Sequence, residues 1–203
     1  MLPRIQPIVP VRQNEPFDDP EWAFDFKYDG FRALCYLEQG RARNGNLMSR
    51  FAGLGEKIAA SLDVDDDAIL DGEIIGTDET GRPQFYDLLR HMRPAAYVAF
   101  DVMWLNGVDL RVQPLTEHRR DLHDILPKGS AIITEALAVI GRGHKLFELM
   151  CAHDLEGIVA KRLTDSYRPH VRWLKIKNPD YTQNEGRREL FKPRNVRAPT
   201  DQL

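Results

Sequence analysis

The residues best suited to chemistry gather around one lysine. Lys27-Tyr28-Asp29-Gly30-Phe31-Arg32 sets an amine at the end of a strand-like run, just before a tight turn, with an arginine five residues on. A free lysine has a pKa of about 10.4, so only a fraction on the order of 10⁻³ is a nucleophilic amine at neutral pH. Lys175 and Lys177 stand at i and i+2 in Trp173-Leu174-Lys175-Ile176-Lys177, whose alternation predicts a strand with both lysines on one face. Brought near Lys27, those cations would disfavour another ammonium, activate the amine and bind a phosphate. Taken singly, each of these features also describes an ordinary solvated strand face.

Other chemistries are absent from the pattern. None of the six histidines (91, 118, 123, 144, 153, 170) forms a His-Glu-x-x-His type of metal spacing, and they receive no catalytic role. There is no Gly-x-x-x-x-Gly-Lys-Ser/Thr loop to cradle phosphates. Cys35 and Cys151 lie far apart and outside any Cys-x-x-Cys pair, so two reduced, buried thiols are expected rather than a disulfide or zinc site.

With 203 residues, 42% hydrophobic and 9% aromatic, the chain can bury a core in one or two modest domains. No apolar run approaches the roughly 20 residues that cross a bilayer, and the proline-rich start lacks the apolar stretch of a signal peptide. A cytoplasmic, nucleoid-associated location with no membrane partner is the expectation. The net charge of −3 argues against holding nucleic acid by bulk charge alone. Its distribution is uneven, however: from Lys161 to Arg197 eleven Lys and Arg face four acids, which suggests either a phosphate-facing C-terminal end or a solvated one.

The elements that must position these residues follow from periodicity. Pro3, Pro7, Pro10, Pro16 and Pro20 make residues 1–20 an extended lead-in, and the folded core is expected to start near Trp22. Trp22, Phe24 and Phe26 alternate with Ala23, Asp25 and Lys27, so a strand should place Asp25 and Lys27 on one face. Asp29-Gly30 then predicts a hairpin to a second strand over 31–37. Further strands are expected at 68–76, 97–104, 157–162 and 172–177, with helices near 51–62, 84–92, 116–126 and 143–153. Hairpins mixed with separated helices indicate an α+β fold. The expected organisation is a lead-in (1–20), one domain (21–186) and a basic tail (187–203).

Five further segments stand in order with the Lys27 segment: Arg43-Asn44-Gly45, Asp71-Gly72-Glu73, Phe100-Asp101 followed by Leu105-Asn106-Gly107, Glu156-Gly157-Ile158-Val159-Ala160-Lys161, and Trp173 to Lys177. Together they resemble motifs I, Ia, III, IIIa, IV and V of the covalent nucleotidyltransferase superfamily of DNA ligases, RNA ligases and capping enzymes, over residues 16–190. Pro16-Phe17-Asp18-Asp19-Pro20 and Lys175-Ile176-Lys177-Asn178-Pro179 look most like the ligase domain of bacterial end-joining ligases and their short stand-alone relatives.

The resemblance implies an ATP-grasp-like fold of antiparallel sheets flanked by helices, and an ATP-dependent DNA ligase core. Lys27 would attack the α-phosphate of ATP, carry AMP covalently, pass it to a DNA 5′-phosphate and seal a nick. Among the acids of the pattern, Mg²⁺ or Mn²⁺ would find Glu156 and also Asp71 or Glu73; the resemblance points to Glu156 for the metal and Glu73 for the ribose hydroxyls. It implies that Phe100 stacks on adenine, that Lys175 and Lys177 contact phosphate, and that Arg32 and Arg43 touch ribose and the DNA 5′-phosphate. Asp25 falls where such ligases carry a glutamate that reads the adenine amino group, a departure that shortens the side chain. Glu156 is expected at the start of its strand, because strict alternation would separate it from Lys161. Arg187, Arg188, Lys192 and Arg194 supply charge for nicked duplex DNA. Asp65 to Asp67 are expected to form a solvated turn.

Only 26 residues follow Lys177, too few for the oligonucleotide-binding barrel that carries motif VI, so that barrel is expected to be absent. That leaves two other readings: a nick-binding or adenylation-only module needing a repair partner for the barrel's work, and an RNA ligase or GTP-using capping enzyme.

Overall fold

A computed structural model describes residues 2–42, 48–51 and 53–184, and its periodic segments assemble into two sheets with helices on their outer faces. In chain order the elements are β1 (Val11–Arg12), β2 (Trp22–Phe26), β3 (Phe31–Glu38), β4 (Arg41–Ala42), α1 (Leu54–Ser61), β5 (Asp67–Ile75), α2 (Phe85–Leu89), β6 (Ala96–Leu105), β7 (Val108–Asp109), α3 (Leu115–Ile125), β8 (Ile133–Glu135), β9 (Ala138–Ile140), α4 (Gly143–Ala152), β10 (Gly157–Arg162) and β11 (Leu174–Lys177). One sheet runs β1-β11-β10-β2-β9; the other runs β4-β3-β5-β6-β7, with β8 also beside β6. The pairings are antiparallel except for β1 with β11 and β6 with β8. This is the α+β class that the mixture of hairpins and helices predicts.

Alternation decides which side chains face which layer. Along β3, Ala33, Cys35 and Leu37 turn to the helices, where they join Leu54 and Ile58 of α1 and Leu122 and Ile125 of α3. Arg32, Leu34 and Tyr36 turn the other way, toward the space between the sheets. Phe24, Ile158, Ala160 and Ile176 of the first sheet pack on Leu146 and Met150 of α4. β2 is covered on both faces, which is why Ala23, Phe24 and Asp25 are all buried.

Two expectations change here. The hairpin over residues 22–37 does not form, because β2 and β3 belong to different sheets. Asp29 and Gly30 carry the chain across rather than back: a side chain at Gly30 would overlap the Ile74 carbonyl of β5, and Asp29 is buried with its carboxylate accepting from the Tyr181 hydroxyl at 2.6 Å. Nor does the core begin at Trp22. The lead-in is extended, as its prolines require, yet Leu2, Ile5 and Ile8 are buried beside Ile69, Met103, Tyr167 and Trp173 between the sheets. The hydroxyls of Tyr36 and Tyr167 accept from the Ile5 and Ile8 amides at 3.0 and 3.2 Å, and β1 extends the first sheet at its edge.

Asp67 also departs from a solvated turn. Its carboxylate accepts from the Trp104 indole at 3.0 Å and the Gly107 amide at 2.8 Å. It thereby secures the β6–β7 turn, where Asn106 and Gly107 both adopt positive φ, as a tight Asn-Gly hairpin demands. Of the two free cysteines, Cys35 is buried, and burial pushes its thiol up to about 12; Cys151 is only half-buried.

Candidate active site

Sheet register brings the sequence-distant lysines together. Val159 of β10 lies between Asp25 of β2 and Lys175 of β11, so these three residues share one row and one face. One step along, the Lys27 amide donates to the Gly157 carbonyl at 2.9 Å, and Gly157 pairs with Lys177. The chain therefore leaves β2 at Lys27 directly beside the start of β10, where Glu156 waits. Gly157 has φ +136, and a Cβ there would overlap the Ile176 carbonyl, so only glycine lets Glu156 enter the site at that strand end.

Glu156 is 4% exposed and joins two cations: its Oε2 lies 2.6 Å from Lys27 Nζ and its Oε1 lies 2.7 Å from Lys177 Nζ. A carboxylate thus stands between Lys27 and Lys177, where the sequence leads one to expect cations alone. Lys175 lies on the cavity wall, while Lys177 reaches Glu156, so the two lysines engage the site at different points.

A cavity of about 230 Å³ opens between the sheets, lined by Asp25, Lys27 and Lys175 from one and Arg32, Glu73 and Phe100 from the other, with Trp173 at its back. Burial pushes Glu73 up to about 7, with Glu156 adding to the push and Lys27 opposing it. Phe100 occupies a bulge of β6: Asp71 pairs with Asp101 and Gly72 with Ala99, which leaves Phe100 between them. Its carbonyl instead accepts from Lys161 Nζ at 3.1 Å, and its ring meets Trp173 edge-on, with centroids 5.9 Å apart.

Behind this wall sits a buried charge network. Lys161, 2% exposed, lies 4.0 Å from the Trp173 ring centroid and pairs with Asp25 at 2.9 Å. Arg119 of α3 reaches the other oxygen of Asp25. Asp25 therefore lines the cavity as expected, but its carboxylate is engaged by two cations. Arg32 likewise lines the cavity while its guanidinium grips Asp71 through two bonds of 3.0 and 2.6 Å and donates to the Ile8 carbonyl. Burial works against the charge of Arg32, but the bonds and charge of Asp71 outweigh it and raise the pKa.

Asp71 is fully buried and also accepts from the Tyr167 hydroxyl at 2.7 Å. It is removed from the metal candidates for that reason: its oxygens are held by Arg32 and Tyr167. Among the described residues no group of three or more His, Cys, Asp or Glu could hold a metal unaided.

A second cavity, of about 460 Å³, shares Phe26, Lys27 and Tyr28 with the first. Its walls are mostly apolar, from Leu137, Leu149, Met150 and Leu155, with Arg82 and His153 at the side. Lys27 thus stands where two cavities meet.

The sequence pattern described as the ATP dependent DNA ligase domain matches residues 11–177. The chain belongs to the ATP-dependent DNA ligase family. Among its relatives, the SPbeta prophage-derived DNA ligase-like protein LigB of Bacillus subtilis is 28% identical over 194 residues, covering 88% of this chain and 69% of LigB. The multifunctional non-homologous end joining protein LigD of Pseudomonas aeruginosa is 32% identical over 169 residues, which is 77% of this chain but 20% of LigD. The ligase domain of Mycobacterium tuberculosis LigD superposes with a TM-score of 0.69 at 24% identity, over 84% of this chain and 58% of that domain. The DNA ligase fold is shared, and the chain spans about a fifth of the LigD relatives it matches.

For a member of this ligase family, the sequence already marked Lys27, Glu73, Glu156, Lys175 and Lys177, and all five gather at the two cavities or at the Glu156 pair. It missed the part played by Lys161 and Arg119, which fix Asp25, and by Trp173 as a wall. The signal for Lys161 was its place on β10 opposite the alternation of its apolar neighbours. Arg119 left no trace, because its partner lies 94 residues away. Arg43, Arg187, Arg188, Lys192 and Arg194 lie outside the described residues.

Proposed function

We propose that this chain is a self-adenylating ATP-dependent DNA ligase core. The observation that carries the reading is Lys27 Nζ, placed where two cavities meet and paired with Glu156 beside Lys177. The Lys27 amine attacks the α-phosphorus of ATP, an N–P bond forms, and the bond to pyrophosphate breaks in line. Glu156 Oε2, at 2.6 Å, is the base positioned for the proton that Lys27 must shed. Lys175 and Lys177 meet the phosphate charge, Glu73 the ribose hydroxyls, and Phe100 and Trp173 supply aromatic surface for the base. AMP then passes to a DNA 5′-phosphate, and the adjacent 3′-hydroxyl displaces it to seal the nick. The larger cavity, with Lys27 at its edge, is the side from which that second reactant reaches the covalent phosphate.

Glu156 and Glu73 are close enough for the charge of one to shift the other. Lys27 and Lys177 each hold one Glu156 oxygen, so a hard cation completed by phosphate oxygens and water would take Glu156 by displacing one of these ammonium groups. Mg²⁺ or Mn²⁺ held at Glu156 would neutralise phosphate charge as it shifts toward pyrophosphate. Nicked duplex DNA is the macromolecular substrate, with the basic residues after 186 contributing phosphate contacts, and the nucleoid in the cytoplasm is where it acts.

Incubation with α-labelled ATP tests the reading: label should survive denaturation in the chain and vanish in Lys27→Ala. Labelled GTP should give none; strong labelling by GTP would favour a capping-type enzyme. The second reading is an adenylation-only module working with a repair partner. A gel assay for joined nicked duplex separates the two, since that module takes label but joins nothing.

A further inference from the structure

Beyond β11, residues 178–184 form a strap that touches both halves of the Lys27–Glu156 pair, and it lies past the residues that the family pattern matches. On one side it holds the backbone leading into Glu156. The Asn178 side chain donates to the Leu155 carbonyl at 3.1 Å, and the Asn178 amide donates to the Glu156 carbonyl at 3.0 Å. Thr182 donates to the Asp154 carboxylate through its amide at 2.9 Å and its hydroxyl at 2.5 Å. On the other side it holds the turn that follows Lys27. The Tyr181 hydroxyl donates to Asp29 Oδ2 at 2.6 Å, with Tyr181 5% and Asp29 3% exposed. The far end is anchored by Gln183, which donates to the Pro83 carbonyl at 2.9 Å and accepts from the Phe85 amide at 3.1 Å.

We propose that Tyr181 is a positioning residue that sets Lys27 against Glu156, acting through Asp29. The inference rests on the self-adenylation reading. Lys27 and Glu156 are 129 residues apart, and their 2.6 Å contact requires both backbones to be held in one register. A lysine side chain with four rotatable bonds does not choose a single partner by itself. Tyr181 suits the task because its ring fills the interior while its one hydroxyl reaches a carboxylate two residues from the nucleophile. Burial, and next the charge of Glu156, push the phenol up, so it remains a donor throughout the working pH range. Tyr181 lines neither of the cavities at Lys27, so it acts on the geometry of the amine and leaves nucleotide contacts alone.

The test is Tyr181→Phe in the full chain, which removes one oxygen and keeps the ring. The single-turnover rate of covalent AMP formation should fall about 10-fold or more, while half-saturating ATP stays within about twofold. A second readout needs no nucleotide: modification of Lys27 by trinitrobenzenesulfonate, followed by peptide mass spectrometry, should quicken about threefold as the amine leaves Glu156. Gln183→Ala loosens the same strap away from the site and should leave both readouts near wild type. If Tyr181→Phe does not fold, Asp29→Asn weakens the same bond while keeping its shape and is read the same way. Unchanged rate and Lys27 reactivity would overturn the inference, as would equal losses in Tyr181→Phe and Gln183→Ala, which mean a structural strap only. If the wild-type chain takes no AMP at all, the self-adenylation reading falls, and Lys27 reactivity alone decides whether Tyr181 positions the amine.

Discussion

Asp25 and Lys161 form a 2.9 Å ion pair whose side chains are 3% and 2% exposed. Such a pair sits at the boundary between stability and function, because Asp25 lines the smaller cavity while both charges are almost wholly buried. Taking one partner away leaves the other charged and desolvated, the costly case for buried charge.

Lys161→Ala should therefore lower unfolding stability by roughly 3 kcal/mol or more, even though Arg119 remains beside Asp25. Urea denaturation of the two proteins measures this. A loss below about 1 kcal/mol would show that water or Arg119 replaces the missing ammonium.

Glu156→Gln should keep the hydrogen-bonding shape but lose the charge that faces both lysines. Self-adenylation should fall by about 100-fold, in the range that a positioned proton acceptor contributes. Quenched-flow labelling reads the rate, and a value within threefold of wild type would remove Glu156 from the proton's path.

Glu73 makes a pH-dependent prediction. Its folded-state pKa of about 7 lies above the ordinary 4.5, so the fold favours the neutral carboxyl. That contribution is fully present below the unfolded value and is lost as pH rises through the folded one. Glu73→Gln, which cannot ionise, should then gain on wild type by roughly 1 to 3 kcal/mol near pH 8.5 and by almost nothing near pH 4. Melting curves at the two pH values decide it; a gain that does not grow with pH would show that the fold does not favour the neutral Glu73 carboxyl.

His118 runs in the same direction with pH, but there the fold favours the charged form instead of the neutral one. His118 Nδ1 lies 2.9 Å from Asp101 Oδ1 and its Nε2 lies 2.7 Å from the Leu110 carbonyl, surroundings that favour the imidazolium. Burial works against that charge, but the hydrogen bond and charge of Asp101 prevail and raise the pKa. The stabilisation is complete below the ordinary value of 6.5 and disappears as pH climbs through the raised one. His118→Gln should cost about 1 to 3 kcal/mol near pH 6 and distinctly less near pH 9.5. An equal cost at both values would mean that the ring is neutral throughout.

How much of this was legible in the chain depends on the range of the interaction. Alternation along residues 22–27 put Asp25 and Lys27 on one face, and the i, i+2 spacing of Lys175 and Lys177 did the same, because a strand's side-chain period is a property of the local backbone. The need for Glu156 to stand at the start of its strand was equally readable from its offset to Lys161.

Tertiary structure alone decided the partners. Nothing local says that Glu156 lies between Lys27 and Lys177, that Arg32 locks Asp71, or that Asp25 answers to Lys161 and Arg119. Nor does Asp29-Gly30 reveal whether it turns the chain back into one sheet or across to another. Those outcomes are set by which strands neighbour one another and by which charges lose water together, and both depend on residues tens to more than a hundred positions away. Periodicity determines the direction in which a side chain points; only the closed pair of sheets determines what it meets there.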